Sequence, residues 1–175
     1  MPTRLVFTDP DRTPDPIALA KRLPPKVALV YRAFGAGDAE AVGRRLLEIA
    51  RRRNFSLLIG ADSRLAARIG ADGVHLPQRL AHLAARVRRP GWLITAAAHS
   101  GRAARVRYVD AVVLSTVFAS ASRSAGKPMG PLRLAQIVRE THNPVYALGG
   151  VREATAAQLL RTGIVGVAGV EDIRT

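Results

Sequence analysis

Polar and ionisable residues recur in this sequence at one kind of place, the end of a short apolar run. Asp9 follows residues 5–8, Arg32 closes 27–32, Asp62 follows 56–59, Gln78 follows 74–76, His99 follows 92–97, and Ser115-Thr116 closes 111–114. Arg32 carries a fixed positive charge on a planar fork that suits phosphate. His99 belongs to the one residue type that titrates near neutral pH and can move a proton. Asp62 can bind a metal, act as a base, or cap a helix that begins near Ser63; Asp9 has the same ambiguity, with a turn role favoured by the loop after it. His75 lies inside its apolar run and reads as a packing residue, His82 and His142 as structural ones. Two glycine features suit anions. In Gly149-Gly150 a strand runs into a glycine pair before a helix, so the backbone can turn sharply and offer its N–H groups. Gly166 to Val170, with Ala168-Gly169 near its end, has the same look. Ser120, Ser122, Arg123 and Lys127 lie in a Ser/Gly-rich stretch, 119–130, which is either a lid over an anionic ligand or a simple connector.

Composition limits the reading. The 175 residues suffice for one domain with a proper core, and 1–175 is read as a single domain. The absence of cysteine excludes disulfides, thiol nucleophiles and thiolate-held metals. No apolar run reaches the roughly 18 residues a membrane helix needs, and the start shows no secretory pattern, so a cytoplasmic protein without membrane association is expected. The net charge is +14, and 24 of the 27 basic residues are arginine. Aromatics make up only 5%, leaving little for bases to stack on. The arginines are therefore read as solvated helix faces that steer anionic small molecules, and a nucleic-acid surface is not favoured.

The elements that must position these residues alternate along the chain. Apolar runs at 5–8, 27–32, 56–59, 74–76, 92–97, 111–115, 144–148 and 165–170 read as strands. Between them, 17–23, 38–53, 63–69, 79–88, 101–106, 132–141 and 154–161 read as helices, the second capped by Asp38. Apolar strands joined by crossover helices imply a parallel sheet buried on both faces. Eight such units point to an α/β fold, a compact (β/α)₈ TIM barrel, with the doubly wound open sheet as the alternative. The eighth helix is expected to be missing or reduced to a turn near Glu171 to Arg174. A partner subunit in a homo-oligomer, or the N-terminal loop, is expected to cover the gap. In a barrel, the polar run-ends fall on one rim, where the last two strand ends commonly hold a phosphate.

With the elements in place, Gly70-Ala71-Asp72-Gly73-Val74-His75-Leu76-Pro77-Gln78, Ala98-His99-Ser100, Asp110 to Phe118, Ala147-Leu148-Gly149-Gly150-Val151 and Gly166 to Val170 resemble the thiamine phosphate synthase and TenI-like thiazole tautomerase superfamily. The resemblance runs from Phe7-Thr8-Asp9 to the eighth strand. It implies a (β/α)₈ barrel that handles a thiazole phosphate, with the phosphate at Gly149-Gly150 and near Ala168-Gly169. Such a synthase joins a hydroxymethylpyrimidine pyrophosphate to the thiazole phosphate and releases pyrophosphate with Mg²⁺. The tautomerase moves protons on a thiazole carboxylate phosphate and needs no metal.

Departures from the synthase pattern decide the expectation. After the second strand a Gln-x-Arg-x-Lys grip is expected, and the chain has Tyr31-Arg32-Ala33-Phe34 set after Val30, so only Arg32 survives. Asn-Asp becomes Ala61-Asp62, and acidic metal ligands after Gln78 become Arg79-Leu80. The serine two before His99 is Ala97, and Thr-x-Thr-Lys becomes Ser120-Ala121-Ser122-Arg123. These changes favour a tautomerase-like enzyme of thiamine biosynthesis with His99 as acid and base and no required cofactor. Arg32, Ser120, Ser122, Arg123, Gly149, Gly150, Ala168 and Gly169 would hold the phosphorylated substrate, with Asp62 and Gln78 as polar rim or metal positions. The alternatives are a Mg²⁺-dependent synthase using Asp62, a non-catalytic phosphate-ligand binder, and a nucleic-acid binder.

Overall fold

A computed structural model of the chain describes residues 1–120 and 126–170. Eight strands close into a parallel barrel in sequence order, the eighth pairing with the first. They are β1 (Arg4–Phe7), β2 (Ala28–Tyr31), β3 (Ser56–Gly60), β4 (Gly73–Leu76), β5 (Leu93–Ala98), β6 (Ala111–Ser115), β7 (Val145–Leu148) and β8 (Gly166–Gly169). The expected barrel is thus the observed one, and the open sheet is excluded by the β1–β8 pairing. The helices are α1 (Pro16–Arg22), α2 (Ala39–Arg53), α3 (Ser63–Ile69), α4 (Ala84–Val87), α5 (Gly101–Ala104), α6 (Gly130–Glu140) and α7 (Glu153–Ala156). The expectation of a reduced eighth helix falls on 171–175, outside the described residues.

Alternation along the strands builds two layers. Leu5, Phe7, Ala28, Val30, Leu58, Ala111, Val113, Tyr146 and Ala168 fill the barrel interior. The residues between them, such as Val6, Leu29, Leu57 and Ile59, pack outward against the helices. Tyr146 is fully buried and donates its hydroxyl to the Pro2 carbonyl, and burial pushes that hydroxyl up to about 12. Small residues let backbones meet where the wall is tight. A Cβ on Gly73 would lie 2.0 Å from the Leu93 carbonyl oxygen, and one on Gly166 2.1 Å from that of Thr3.

Two aspartates repeat one device at the far end of the barrel. Asp72 precedes β4 and its Oδ2 accepts from the Leu57 N–H of β3 at 2.8 Å; Asp110 precedes β6 and its Oδ2 accepts from Ile94 N–H of β5 at 2.7 Å. Each also pairs with an arginine, Asp72 with Arg51 and Asp110 with Arg88. Asp72 is thus a clamp between strands, more than the turn residue its Ala-Asp-Gly setting suggests.

Three crossovers are shorter or tighter than their sequences predict. The segment expected as a helix over 79–88 is a 3₁₀ stretch, Gln78–Leu83, leading into α4. The expected helix at 101–106 stops at Ala104, and that at 154–161 is one α turn followed by 3₁₀ at Ala157–Leu159. Crossovers this brief leave few residues to satisfy the i to i+4 ladder, and the i to i+3 bonds of 3₁₀ turns tighten the ends.

Candidate active site

The carboxyl ends of the strands surround one cavity of about 1660 Å³, open at the rim. Asp9, Arg32, Asp62, His99, Ser120, Gly149, Gly150, Ala168 and Gly169 all line it. The expected rim residues are therefore brought together, with two qualifications. Gln78 is not among the lining residues, and Ser122 and Arg123 lie outside the described residues.

The glycine pair forms the most shaped part of the wall. Gly149 and Gly150 both have positive φ, +97° and +63°, so two successive residues turn in the region where side chains are strained. Their carbonyl side is tied to the segment after β6: Val117 N–H donates to Leu148 and Phe118 N–H to Gly149. A Cβ on Gly150 would stand 2.3 Å from the Ala119 carbonyl oxygen and 2.8 Å from Phe118 Cβ. Among the described residues, nothing accepts a hydrogen bond from the Gly150 or Val151 N–H. Adjacent N–H donors in such a turn make a concavity for an anion. Helix α7 behind it is too short to add much dipole, so the N–H groups themselves carry the site.

His99 sits at the β5 end. Its backbone N–H donates to Gln78 Oε1 at 2.8 Å, so Gln78 positions the histidine from outside the cavity. The ring Nδ1 lies 3.0 Å from Ser115 Oγ and 3.3 Å from the Ser115 carbonyl oxygen. If Nδ1–H donates to that carbonyl, Nε2 keeps a lone pair; if Nδ1 accepts from the serine hydroxyl, Nε2 carries the proton. Ser115 thus lets His99 offer either form. Ser115 appears at the rim in the sequence, but nothing there links it to His99, since 16 residues separate them.

Arg32 is anchored by several contacts at the rim. Its Nε donates to the Thr8 carbonyl at 2.7 Å and its Nη2 to Asp9 Oδ2 at 2.9 Å. The guanidinium also lies 5.7 Å from the Phe7 ring centre and 5.1 Å from that of Phe34. Two of its donor directions are spent on the segment just past β1, which leaves Nη1 for a ligand. Burial pushes the Asp9 carboxyl up, yet the N–H groups of Arg12 and Asp11 and the Arg32 charge outweigh it and hold Asp9 below the usual carboxylate range. Phe34, 67% exposed and lining the cavity, was not legible as a site residue; its stacking needs the positive φ of +49° that turns it back over Arg32.

Below the rim, His75 is buried, its Nδ1 2.9 Å from Thr95 Oγ1 and its ring edge-on to Phe7 at 4.9 Å. Burial, reinforced by the Arg32 charge, pushes His75 down to about 3, so it is a neutral ring on the cavity floor. The packing role read for it holds, and it also borders the cavity.

The Mg²⁺ that a synthase implies can be tested against this donor set. Asp62 Oδ1 accepts from the Leu65 N–H at 2.8 Å, so its carboxylate caps α3. Asp9 is committed to Arg32. Among the described residues, no group of three or more His, Asp or Glu is placed to hold a metal ion. Arg79, a cation, lines the cavity after β4. Magnesium is held through one or two carboxylates together with substrate phosphates and water. A single carboxylate already serving as the α3 cap, on a wall that also carries the Arg79 cation, is a poor fit to that requirement.

Comparison with known proteins places the chain. Residues 17–173 match the family model for thiamine monophosphate synthase. The thiamine-phosphate synthase of Leuconostoc citreum (strain KM20) is 30% identical over 151 residues, covering 79% of this chain and 70% of that protein. That of Alcanivorax borkumensis (strain ATCC 700651 / DSM 11573 / NCIMB 13689 / SK2) is 30% identical over 174 residues, covering 93% and 80%. The solved structure of thiamine phosphate pyrophosphorylase from Pyrococcus furiosus superposes with a TM-score of 0.81 over 95% of this chain and 84% of that one; at 23% identity it supports the fold alone. Among the described residues, no helix is long and apolar enough to cross a membrane. On its barrel, its rim and the match over residues 17–173, the chain belongs to the thiamine monophosphate synthase family.

Proposed function

We propose that this chain joins a hydroxymethylpyrimidine pyrophosphate to a thiazole phosphate, forming thiamine phosphate and pyrophosphate. The observation that carries this reading is the cavity. At about 1660 Å³ it exceeds the roughly 300–1,000 Å³ of a pocket for one small ligand. It runs from the Gly149-Gly150 turn to the ends of β3 and β4, on the opposite side of the closed barrel. Two phosphorylated substrates can be held apart at these two walls with their reactive ends between. The similarity to thiamine-phosphate synthases favours this reaction over the tautomerase expected from the sequence departures.

In the reaction, the thiazole nitrogen attacks the pyrimidine methylene carbon. The carbon–oxygen bond to pyrophosphate breaks, and its electron pair leaves on the pyrophosphate oxygen. The chain's part is to hold the thiazole phosphate at the Gly150 and Val151 N–H groups and to bring the two partners into line. The His99 ring, fixed by Ser115, supplies a hydrogen bond to a heterocycle. Thiamine phosphate formation from the two substrates, followed by chromatography, tests the reading; no product at any substrate concentration would remove it.

A second reading keeps the thiazole phosphate and replaces the coupling by tautomerisation. The His99–Ser115 arrangement favours it, because one ring nitrogen can take a proton and return it. Solvent-hydrogen exchange into a thiazole carboxylate phosphate, lost in His99→Ala, would support it.

A further inference from the structure

We infer that the β3–β4 wall of the cavity binds pyrophosphate through Arg64 and Arg79 without a divalent cation, the arginines standing where a metal would be required. This rests on the synthase reading and specifies how the pyrophosphate half of that site works. Most arginines of this chain with a described partner are paired on the surface: Arg44 and Arg68 with Glu40, Arg45 with Glu48, Arg88 with Asp110, Arg105 with Glu140. Among the described residues Arg64 and Arg79 have no such partner, and both line the cavity. Arg64 is the second residue of α3, just past the β3 end, and Arg79 lies just past the β4 end, so adjacent strands deliver two unneutralised cations to one stretch of wall.

The carboxylate of that wall does not cancel them. Asp62 is turned to the Leu65 N–H as the cap of α3. Pyrophosphate concentrates negative charge on adjacent phosphoryl groups, and a guanidinium fork matches phosphate oxygens two at a time. A metal offers the same neutralisation but is held through carboxylates, and among the described residues no group of three or more His, Asp or Glu is placed to hold one. The leaving electron pair of the coupling would thus settle on an oxygen already faced by two fixed cations. The cradle at Gly149-Gly150 lies on the opposite side of the barrel, so the two sites are separately addressable.

The test is calorimetric titration of inorganic pyrophosphate into the full chain in EDTA and again in Mg²⁺. Binding in EDTA is expected, weakened at least about tenfold in Arg64→Gln/Arg79→Gln, the loss of a charge-assisted contact. The double variant keeps its affinity for inorganic phosphate at the glycine cradle. Arg102→Gln/Arg107→Gln, outside the cavity, serves as the control for unspecific attraction to a chain of net charge +14 and is expected to bind pyrophosphate as the parent does. Pyrophosphate binding only in Mg²⁺, or equal loss in both double variants, overturns the inference. Coupling that proceeds only with Mg²⁺ would leave the synthase reading standing and remove this one. Arginine-dependent binding in EDTA with no coupling activity would do the reverse.

Discussion

Replacing Gly150 by alanine separates what the glycine turn does for the fold from what it does for a ligand. The backbone there has φ of +63°, and an alanine forced into that region costs about 1–2 kcal/mol. A second cost is steric. The new Cβ would stand 2.3 Å from the Ala119 carbonyl oxygen and 2.9 Å from the Phe118 carbonyl carbon, both backbone atoms that cannot swing aside. The segment after β6 must move, at an overpacking cost of about 1–3 kcal/mol. Gly91 provides the comparison, with φ of +76° and nothing within 4 Å of a built Cβ. Gly91→Ala should therefore lose only the backbone cost, about 1–2 kcal/mol, and Gly150→Ala the sum, about 2–5 kcal/mol. Urea unfolding measures both. Because the displaced segment is bonded to Gly149 through the Phe118 N–H, the backbone of Gly150 and Val151 at the cavity wall should shift with it. Calorimetry with thiazole phosphate at a temperature where both variants are folded should show at least about a tenfold loss of affinity in Gly150→Ala and none in Gly91→Ala. Equal destabilisation in the two variants together with unchanged affinity in Gly150→Ala would refute the reasoning, since neither contact nor cradle would then depend on that position.

Three further outcomes are expected. His75 is held neutral in the folded chain at about 3 against an ordinary 6.5, so its contribution is complete above pH 6.5 and is lost as pH falls toward 3, when the unfolded chain takes up a proton that the native one refuses. The difference in unfolding free energy between the parent and His75→Gln should slope by up to about 1.4 kcal/mol per pH unit in that window, and a difference independent of pH would contradict it. Asp62→Ala should cost about 1 kcal/mol by removing the α3 cap, measured by urea unfolding. The same change should leave pyrophosphate affinity unchanged or raised, because a negative charge leaves the Arg64 wall; weaker binding in EDTA would show that the carboxylate serves the ligand. His99→Ala should lower the coupling rate about tenfold, the loss of one hydrogen-bonding partner. A loss of about 10²–10⁴-fold, with exchange on the thiazole abolished, would mark proton transfer and favour the tautomerase reading.

The barrel was readable because its strands are buried on both faces and so appear as apolar runs, such as Leu57-Leu58-Ile59 and Val112-Val113-Leu114, each closed by a polar or small residue. The glycine pair was readable for a related reason, since only a backbone requirement places two glycines between a strand and a helix. Helix lengths were not. In the crossover after Gln78 the sequence looks helical through Arg88, but the path back to β5 is short and the chain takes a 3₁₀ turn. The roles of polar residues were the least legible. Arg32 reads as a phosphate grip, and its bonds to Thr8 and Asp9 just past β1 are not visible in the sequence. Asp62 shows both a cap and a ligand in sequence, and the bond to the Leu65 N–H shows the cap. Gln78 and Ser115 meet His99 across strand boundaries, contacts that no local pattern encodes. The same holds for Arg64 and Arg79: on a chain with 24 arginines, what brings these two together on one wall is where β3 and β4 end.

The central claim is that one cavity holds two phosphorylated substrates and joins them. Its most direct measurement is a single-turnover incubation of the purified chain with hydroxymethylpyrimidine pyrophosphate and thiazole phosphate, with thiamine phosphate and released pyrophosphate quantified together. The account predicts both products in equal amounts. Thiazole phosphate recovered unchanged, with neither thiamine phosphate nor pyrophosphate formed while each substrate binds, would contradict it.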